Sequence, residues 1–143
     1  MRPVSKISTP DLNRLIAVLD IQVVSLSECL VSPGYNLVLR NHESPGIHYV
    51  LEGTGLIHFP NSPSVKIKPH TLVIVPPNCP VQLEVFKDGE QSGTTETVIG
   101  ADIVKLVDSI HRFTAGDAGP KTVVICGFFK TLYGSSMGLF GNL

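Results

Sequence analysis

Three cysteines and five histidines are the side chains of this 143-residue chain that are best suited to chemistry. Thiolate sulfur and imidazole nitrogen bind transition metals, and a thiol beside a base acts as a nucleophile. Cys29, Cys79 and Cys126 are scattered along the chain with no Cys or His at short ligand spacing. We therefore predict free thiols, as in a reducing compartment, and no cysteine-based zinc site.

Catalysis has little support in the pattern of these residues. We find no Ser-His-Asp or Cys-His constellation, no glycine-rich phosphate loop after a strand and no paired carboxylates of the hydrolase type. Cys79 lies between Asn78 and Pro80 in a turn-like stretch with no base beside it, which indicates a passive thiol. The chain is predicted not to be an enzyme.

Composition indicates how these residues are positioned. Hydrophobic residues make up 43% and charged residues 16% of the chain, with 13 Gly and 11 Pro. This is typical of short strands joined by tight turns, and the length suits a single domain over residues 1–143. The net charge of -1 and the pI of about 6.5 exclude a basic surface for nucleic acid.

The N-terminus carries neither a membrane span nor a secretory leader. The apolar residues after Arg2 and Lys6 are interrupted by Asp11, Asn13 and Arg14, so there is no continuous hydrophobic core of a signal peptide. No stretch approaches the roughly 18 apolar residues of a membrane helix. We expect a cytoplasmic protein that does not bind a membrane.

One helix is predicted over residues 10–20. Thr9 suits the N-cap and Pro10 the first helical position. Apolar residues then recur at helical spacing, at Leu12, Leu15, Ile16 and Leu19. This face is expected to pack on the rest of the domain.

From residue 22 to about residue 130 the pattern changes to that of strands. Apolar and polar residues alternate in two segments, around Val65 and Ile67 and from Val81 to Val85, which indicates strands with one buried face. Further strands are predicted at Gln22–Leu30, Tyr35–Arg40, Ile47–Leu51, Leu56–Phe59, Leu72–Val75 and Val123–Phe129. About eight strands bounded by turn residues predict a closed sandwich or barrel.

The segment from Lys87 to Lys121 departs from this rhythm. Its two ends are rich in Gly, Asp, Ser and Thr. Between them, Ile103, Leu106, Val107 and Ile110 have helical spacing, which favours a short helix or a mobile lid. Long insertions in compact domains are either functional or disordered, and both interpretations stay open.

Two blocks of the chain resemble the paired motifs of the cupin superfamily. The first is His-Tyr-Val-Leu-Glu-Gly-Thr-Gly at 48–55, and the second is Leu-Val-Ile-Val-Pro-Pro-Asn-Cys-Pro-Val at 72–81. The segment Thr-Val-Val-Ile-Cys-Gly-Phe-Phe at 122–129 is similar to a late strand in the ligand-sensing N-terminal domains of AraC-type transcription regulators. The resemblance implies an all-β double-stranded β-helix, a jelly-roll barrel. It departs from the family at Pro69-His70, where cupins commonly have Gly-Asp.

Most of the positions that carry metal ligands in metal-binding cupins hold other residue types in this chain. In metal-binding cupins they hold three histidines and a glutamate, and they correspond here to Arg40, His42, Gly46 and Val81. Only His42 could coordinate a metal, whereas a divalent ion needs three or four ligands and arginine stays protonated. We therefore predict a barrel without a metal or other cofactor.

Strand alternation then predicts what lines the barrel interior. If residue 46 faces inward, His48 and Val50 do so too, with Val38, Arg40 and His42 beside them and Val81, Leu83 and Val85 opposite. The predicted ligand-binding residues are Arg40, His42, His48, Val50, Val81 and Leu83. Apolar walls with a few polar groups suit a small neutral or acidic molecule. The alternative is a barrel filled by its own side chains, with His48 hydrogen-bonded in the core.

The resemblance implies the effector-binding domain of an AraC-type regulator. Such a domain would pair as a homodimer, here through the helix and the apolar end of the tail 131–143, and would reach DNA only through helix-turn-helix units. Because no such units occur here, we expect a DNA-binding half of roughly 100 or more residues downstream. A stand-alone cupin enzyme, such as an isomerase or oxygenase, and a structural cupin remain alternatives.

Overall fold

We describe a computed structural model of residues 5–6, 9–10, 21–87 and 93–131. Thr9 and Pro10 are helical, while the remainder of the predicted helix and the tail from residue 132 lie outside the described residues. The strands are β1 (Ser5–Lys6), β2 (Ile21–Val31), β3 (Tyr35–Leu39), β4 (Gly46–Glu52), β5 (Gly55–Phe59), β6 (Ser62–Ile67), β7 (Leu72–Val75), β8 (Val81–Val85), β9 (Glu96–Ile99), β10 (Lys105–Val107), β11 (Ile110–Ala115) and β12 (Thr122–Thr131). A single helical turn, α1, spans Gly100–Ile103.

The strands form two sheets that face each other. One has the order β1-β7-β4-β12-β2-β11-β10 and the other β6-β5-β8-β3-β9. Neighbours are antiparallel except for β11 with β2 and β9 with β3. This arrangement confirms the predicted all-β jelly-roll barrel. Among the described residues, no helix has the length and apolarity needed to cross a membrane.

The turn that ends the first cupin-like block explains its glycine. Gly53 has φ of +84°, in the left-handed region that glycine adopts without strain. A side chain there would also collide with Thr122, whose hydroxyl donates a hydrogen bond of 2.8 Å to the carbonyl of Thr54. The β4–β5 turn is therefore fixed against the first residue of β12.

The segment from Lys87 to Lys121 contains three short strands, β9, β10 and β11, and the single helical turn α1, so the helical interpretation holds only for the turn that ends at Ile103 and is wrong for Leu106, Val107 and Ile110. Val107 and Ile110 are paired across a two-residue turn, in which Asp108 and Ser109 have φ of 51° and 69°. Two successive positive φ values define the hairpin turn that matches strand twist, and they break any helix. Leu106, assigned to the apolar face of the helix, is instead 68% exposed on β10. Residues 88–92 lie outside the described part.

The packed core occupies one end of the barrel. Val31, Leu37 and Val50 are fully buried there, contributed by strands of both sheets. The same cluster includes Cys29, Ile57, Phe59, Ile67, Val73, Val75, Val81, Leu83, Val85, Ala115, Val124 and Cys126. Branched side chains fill this end because strand alternation directs every second residue inward. The opposite end is not filled in this way.

Candidate functional site

A cavity of about 310 Å³ opens at the end of the barrel opposite the packed core. Its walls come from both sheets and from the segment around α1, which supplies one side. The lining residues are Ser25, Ser27, Leu39, Arg40, Asn41, His42, His48, Ala101, Val104, His111, Phe113, Cys126 and Phe128. This lining combines apolar and aromatic walls with arginine and imidazole groups, and within the part of the chain that the structure describes it contains no carboxylate.

His48 lies at the floor of the cavity, on the central strand pair of the larger sheet. It is directly opposite Cys126 in the β4–β12 register and is 3% exposed. Its Nδ1 lies 3.0 Å from Sγ of Cys126, which in turn lies 3.6 Å from Sγ of Cys29 on β2. Among the described residues, Nε2 of His48 has no hydrogen-bond partner. One imidazole and two thiols are therefore joined in a buried row.

The three groups of this row shift one another's proton affinity. The hydrogen bond from Cys29 is the main influence that holds the pKa of Cys126 well below its usual value; burial opposes it, and His48 and Ser27 add to the lowering. Burial alone would lower the pKa of His48, but the charge and hydrogen bond of Cys126 outweigh it and raise that pKa. The pKa of Cys29 is raised by its hydrogen bond to Cys126, by burial and by nearby negative charge. All three shifts act in the direction that places protons on His48 and Cys29 in preference to Cys126.

The prediction that no Cys-His constellation can be assembled is therefore wrong. His48 and Cys126 are 78 residues apart, and the register of β4 against β12 places them side by side. The alternation of side chains along each strand directs both His48 and Cys126 inward. The distance between the two side chains is set by the pairing of β4 with β12. The sequence signal for this contact is the side-chain alternation along residues 122–129, which directs Cys126 inward.

His42 and Phe128 form the wall above the floor. Their rings are stacked, with centroids 4.3 Å apart and planes at 14°, and the ring of His48 meets the same phenyl edge-on at 6.4 Å. The backbone N–H of Ser44 donates a hydrogen bond of 3.0 Å to Nδ1 of His42. A neutral His42 must then carry its proton on Nε2, so this nitrogen is a hydrogen-bond donor.

Arg40 and His111 complete the polar part of the lining. Arg40 follows the end of β3 and is exposed at the cavity mouth, while His111 comes from β11 on the other side. Within residues 21–87 and 93–131, no carboxylate lies within ion-pair distance of Arg40. His111 belongs to the segment that the sequence interpretation left open, and it was not predicted as a site residue.

The six predicted site residues separate into three groups. Arg40, His42 and His48 line the cavity. Val81 lines a small adjoining pocket beside Cys79, whereas Val50 and Leu83 belong to the packed core and line neither space. The parity assumed for β3 is also wrong, because Leu37 is fully buried and Leu39 lines the cavity, which turns Val38 to the other face.

The positions that resemble a cupin metal site are occupied differently here. At Gly46, a Cβ would lie 3.1 Å from the ring of Phe128, so this phenyl group takes the space of a larger side chain. Within the described part of the chain, no three His, Cys, Asp or Glu side chains are arranged around a common metal position. Cys29, Cys126 and His48 follow one another in a row rather than converging.

Comparisons with known proteins agree with the fold. No protein-family model matches the chain, and no curated protein matches it. Among solved structures, it is similar to a DUF861 family protein from Thermotoga maritima, with 12% identity, coverage of 88% of this chain and 97% of that one, and a TM-score of 0.40. A cupin protein from Bacteroides fragilis shows 11% identity, coverage of 94% and 82%, and a TM-score of 0.41.

An enzyme is also among the similar structures. The dTDP-6-deoxy-D-glucose-3,5-epimerase RmlC from Legionella pneumophila, solved with dTDP-4-keto-L-rhamnose, shows 10% identity and a TM-score of 0.47. The match covers 91% of this chain and 59% of the epimerase.

Proposed function

We propose that the barrel binds a small organic anion in its cavity and acts as a sensing domain of the AraC-regulator type. The observation that carries the binding proposal is the lining: among the described residues, one guanidinium and three imidazoles line the cavity, and no carboxylate does. Apolar walls with a few convergent polar groups are typical of small-molecule sites. A volume of about 310 Å³ lies at the small end of the range for such pockets, which is roughly 300 to 1,000 Å³.

The polar groups suggest how an acidic ligand would be held. Arg40 at the mouth can donate two parallel hydrogen bonds to a carboxylate. His42 offers its Nε2–H from the wall, and Nε2 of His48 offers a further polar contact at the floor. Phe113 and Phe128 would cover the apolar body of the ligand. The preferred ligand class is therefore a small carboxylic acid with an apolar or aromatic body.

The regulatory role rests on the sequence resemblance of the blocks at 48–55, 72–81 and 122–129. In this proposal the domain acts in the cytoplasm as a weak homodimer and affects DNA only through a helix-turn-helix segment outside this chain. Sedimentation at high protein concentration should then show dimers. The binding proposal does not depend on this context, because it follows from the cavity itself.

The test is a thermal-unfolding screen of small carboxylic acids against their neutral amides. We expect at least one acid to raise the Tm, and Arg40→Gln to weaken its binding by up to about 3 kcal/mol, the upper value for a charge-assisted hydrogen bond. Lys66→Gln is the matched control, since this exposed cation on β6 does not line the cavity.

Three results would contradict the proposal. The amides could stabilise the protein as well as the acids, Arg40→Gln could leave acid binding unchanged, or no compound could raise the Tm. Conversion of a bound acid to a product would favour the stand-alone enzyme instead.

A further inference from the structure

The thiols at the cavity floor are not needed to hold an organic anion. Cys126 lines the cavity and is 2% exposed, so it lies at the inner limit of the space that a small molecule could enter. It contacts an imidazole at 3.0 Å on one side and a second thiol at 3.6 Å on the other. A base, a nucleophile and a second sulfur in contact are the groups that a thiol oxidation requires.

We propose that this cluster reduces a hydroperoxide that enters the cavity, with Cys126 as the attacking thiolate and Cys29 as the resolving thiol. This activity goes beyond ligand sensing and uses the same floor without needing the organic anion. The substrate class is hydrogen peroxide or a small alkyl hydroperoxide, because the site is buried and only a narrow molecule can approach Cys126.

The first step forms a sulfenic acid. Sγ of Cys126 attacks one peroxide oxygen and the O–O bond breaks, which oxidises the sulfur by two electrons. The departing hydroxide takes the proton from the His48 imidazolium and leaves as water. His48 thus stabilises the thiolate before the reaction and supplies the proton during it.

The second step forms a disulfide. Sγ of Cys29 attacks Sγ of Cys126, the S–O bond breaks, and the hydroxide leaves with the proton of Cys29 as the second water. Over both steps hydrogen peroxide becomes two waters, or an alkyl hydroperoxide becomes an alcohol and one water, and two thiols become one disulfide.

The strand register allows this bond with a limited movement. Cys126 is opposite Ser27 and Cys29 is opposite Val124, so the two cysteines are diagonal neighbours on the same inward face of β2 and β12. Their sulfurs must approach by about 1.5 Å to reach the usual bond length of about 2.05 Å. The cavity beside Cys126 provides room for its side chain to rotate.

Cys79 serves as an internal control. It is more exposed than the other two cysteines and lies beside the small adjoining pocket. Partial burial raises its pKa, and among the described residues the hydrogen-bond partner of its thiol is the carbonyl of Pro80. Exposure alone would make Cys79 the first thiol to be oxidised, whereas the proposal makes it the last.

The experiment treats the reduced, ligand-free protein with equimolar hydrogen peroxide, blocks the remaining thiols with an alkylating agent and measures intact and peptide masses. We expect a product lighter by two hydrogens, with Cys29 linked to Cys126 and Cys79 alkylated. Cys79→Ser should give the same product at the same rate. Cys29→Ser should stop at a sulfenic acid on Cys126, which a cyclic 1,3-diketone traps, and Cys126→Ser should give neither product.

A pH profile isolates the role of His48. The titratable groups around Cys126 are His48 on β4 and Cys29 on β2, and the cavity adds Arg40, His42 and His111. We expect the parent rate to change less with pH than the rate of His48→Gln, and the variant to react several-fold more slowly at pH 7, because it loses the charge and hydrogen bond of His48 but keeps the hydrogen bond from Cys29. The variant rate should rise with pH as the thiol of Cys126 ionises.

Oxidation of Cys79 ahead of Cys126, or an oxygen added to Cys126 without a bond to Cys29, would overturn the proposal. So would a parent rate no faster than that of the Cys126→Ser variant. Because the reaction is measured without an organic ligand, its failure would leave the Tm shifts with carboxylic acids unaffected, and the reverse also holds.

Discussion

The two ends of this barrel are built from the same strands but contain different chemistry. Along β2 the inward residues change from Val31 and Cys29 to Ser27 and Ser25 as the row passes from the packed end to the open end. Along β4 the change is from Val50 to His48. Along β12 it is from Val124 to Cys126 and then Phe128.

This difference shows that one backbone arrangement can supply both the core and the site. The apolar half of each inward row fills its space with branched side chains, which secures the fold by hydrophobic burial. The other half carries short or polar residues, so space and hydrogen-bonding groups remain. The site is thus a continuation of the core rows with different side chains, and the packed end supports its geometry.

The largest effect on stability is expected from a comparison of two leucines on β3. Leu37→Ala should lower the free energy of unfolding by about 2 to 5 kcal/mol, because this fully buried side chain would leave a cavity in the core. Leu39→Ala should cost clearly less, because that side chain already borders open space. Chemical denaturation of both variants measures the difference. Equal losses would mean that the two ends are equally packed.

A second pair of substitutions adds a methyl group at each end. A Cβ on Gly55 would lie 2.7 Å from the backbone carbonyl of Glu84, so Gly55→Ala should force the strand to move and cost about 1 to 3 kcal/mol. At Gly46 the nearest atoms belong to the ring of Phe128, which can move into the cavity. Gly46→Ala should therefore cost less than about 1 kcal/mol. A larger loss at Gly46 would show that the open end is rigid.

The third test varies the pH. Among the inward-facing residues, we expect only those at the open end to make the stability depend on pH. The lowered pKa of Cys126 contributes stability that is lost as pH falls, and the raised pKa of His48 contributes stability that is lost as pH rises. Between the unfolded values of about 6.5 and 8.5 the two effects offset each other, so stability should be flat. It should fall below this window as the unfolded histidine gains a proton.

Above the window the parent should lose stability because the unfolded cysteines release protons while folded His48 and Cys29 keep theirs. Each retained proton contributes a slope of about 1.4 kcal/mol per pH unit. Cys126→Ser removes the charge and hydrogen bond that raise the pKa of His48 and the main cause that raises the pKa of Cys29, so its alkaline slope should be smaller than that of the parent. Denaturation midpoints at several pH values measure both slopes. Identical slopes would show that His48 and Cys126 are not an ion pair.

The sequence predicted the strands β2 to β8 and β12 and the inward direction of His48, because period-two alternation and turn residues are local signals. It did not predict that Val38 faces outward. The inward positions of β3 were assigned from those of β4, and the alternation does not continue unchanged across the turn between the two strands. The hairpin at Asp108 and Ser109 was missed because neither residue is glycine. The contact between His48 and Cys126 depends on which strands pair, and no local pattern records that.

The place of β12 between β4 and β2 has a consequence for how the chain folds. Joining Cys126 to His48 and to Cys29 closes loops of 78 and 97 residues, whose entropy must be lost before the contacts form. Such non-local topologies fold slowly, on the millisecond to second scale. During synthesis β2 and β4 leave the ribosome long before β12, with edges that could pair with other chains. The reactive cluster is therefore completed only when the final strand inserts, and protection of Cys126 from alkylation marks the end of folding.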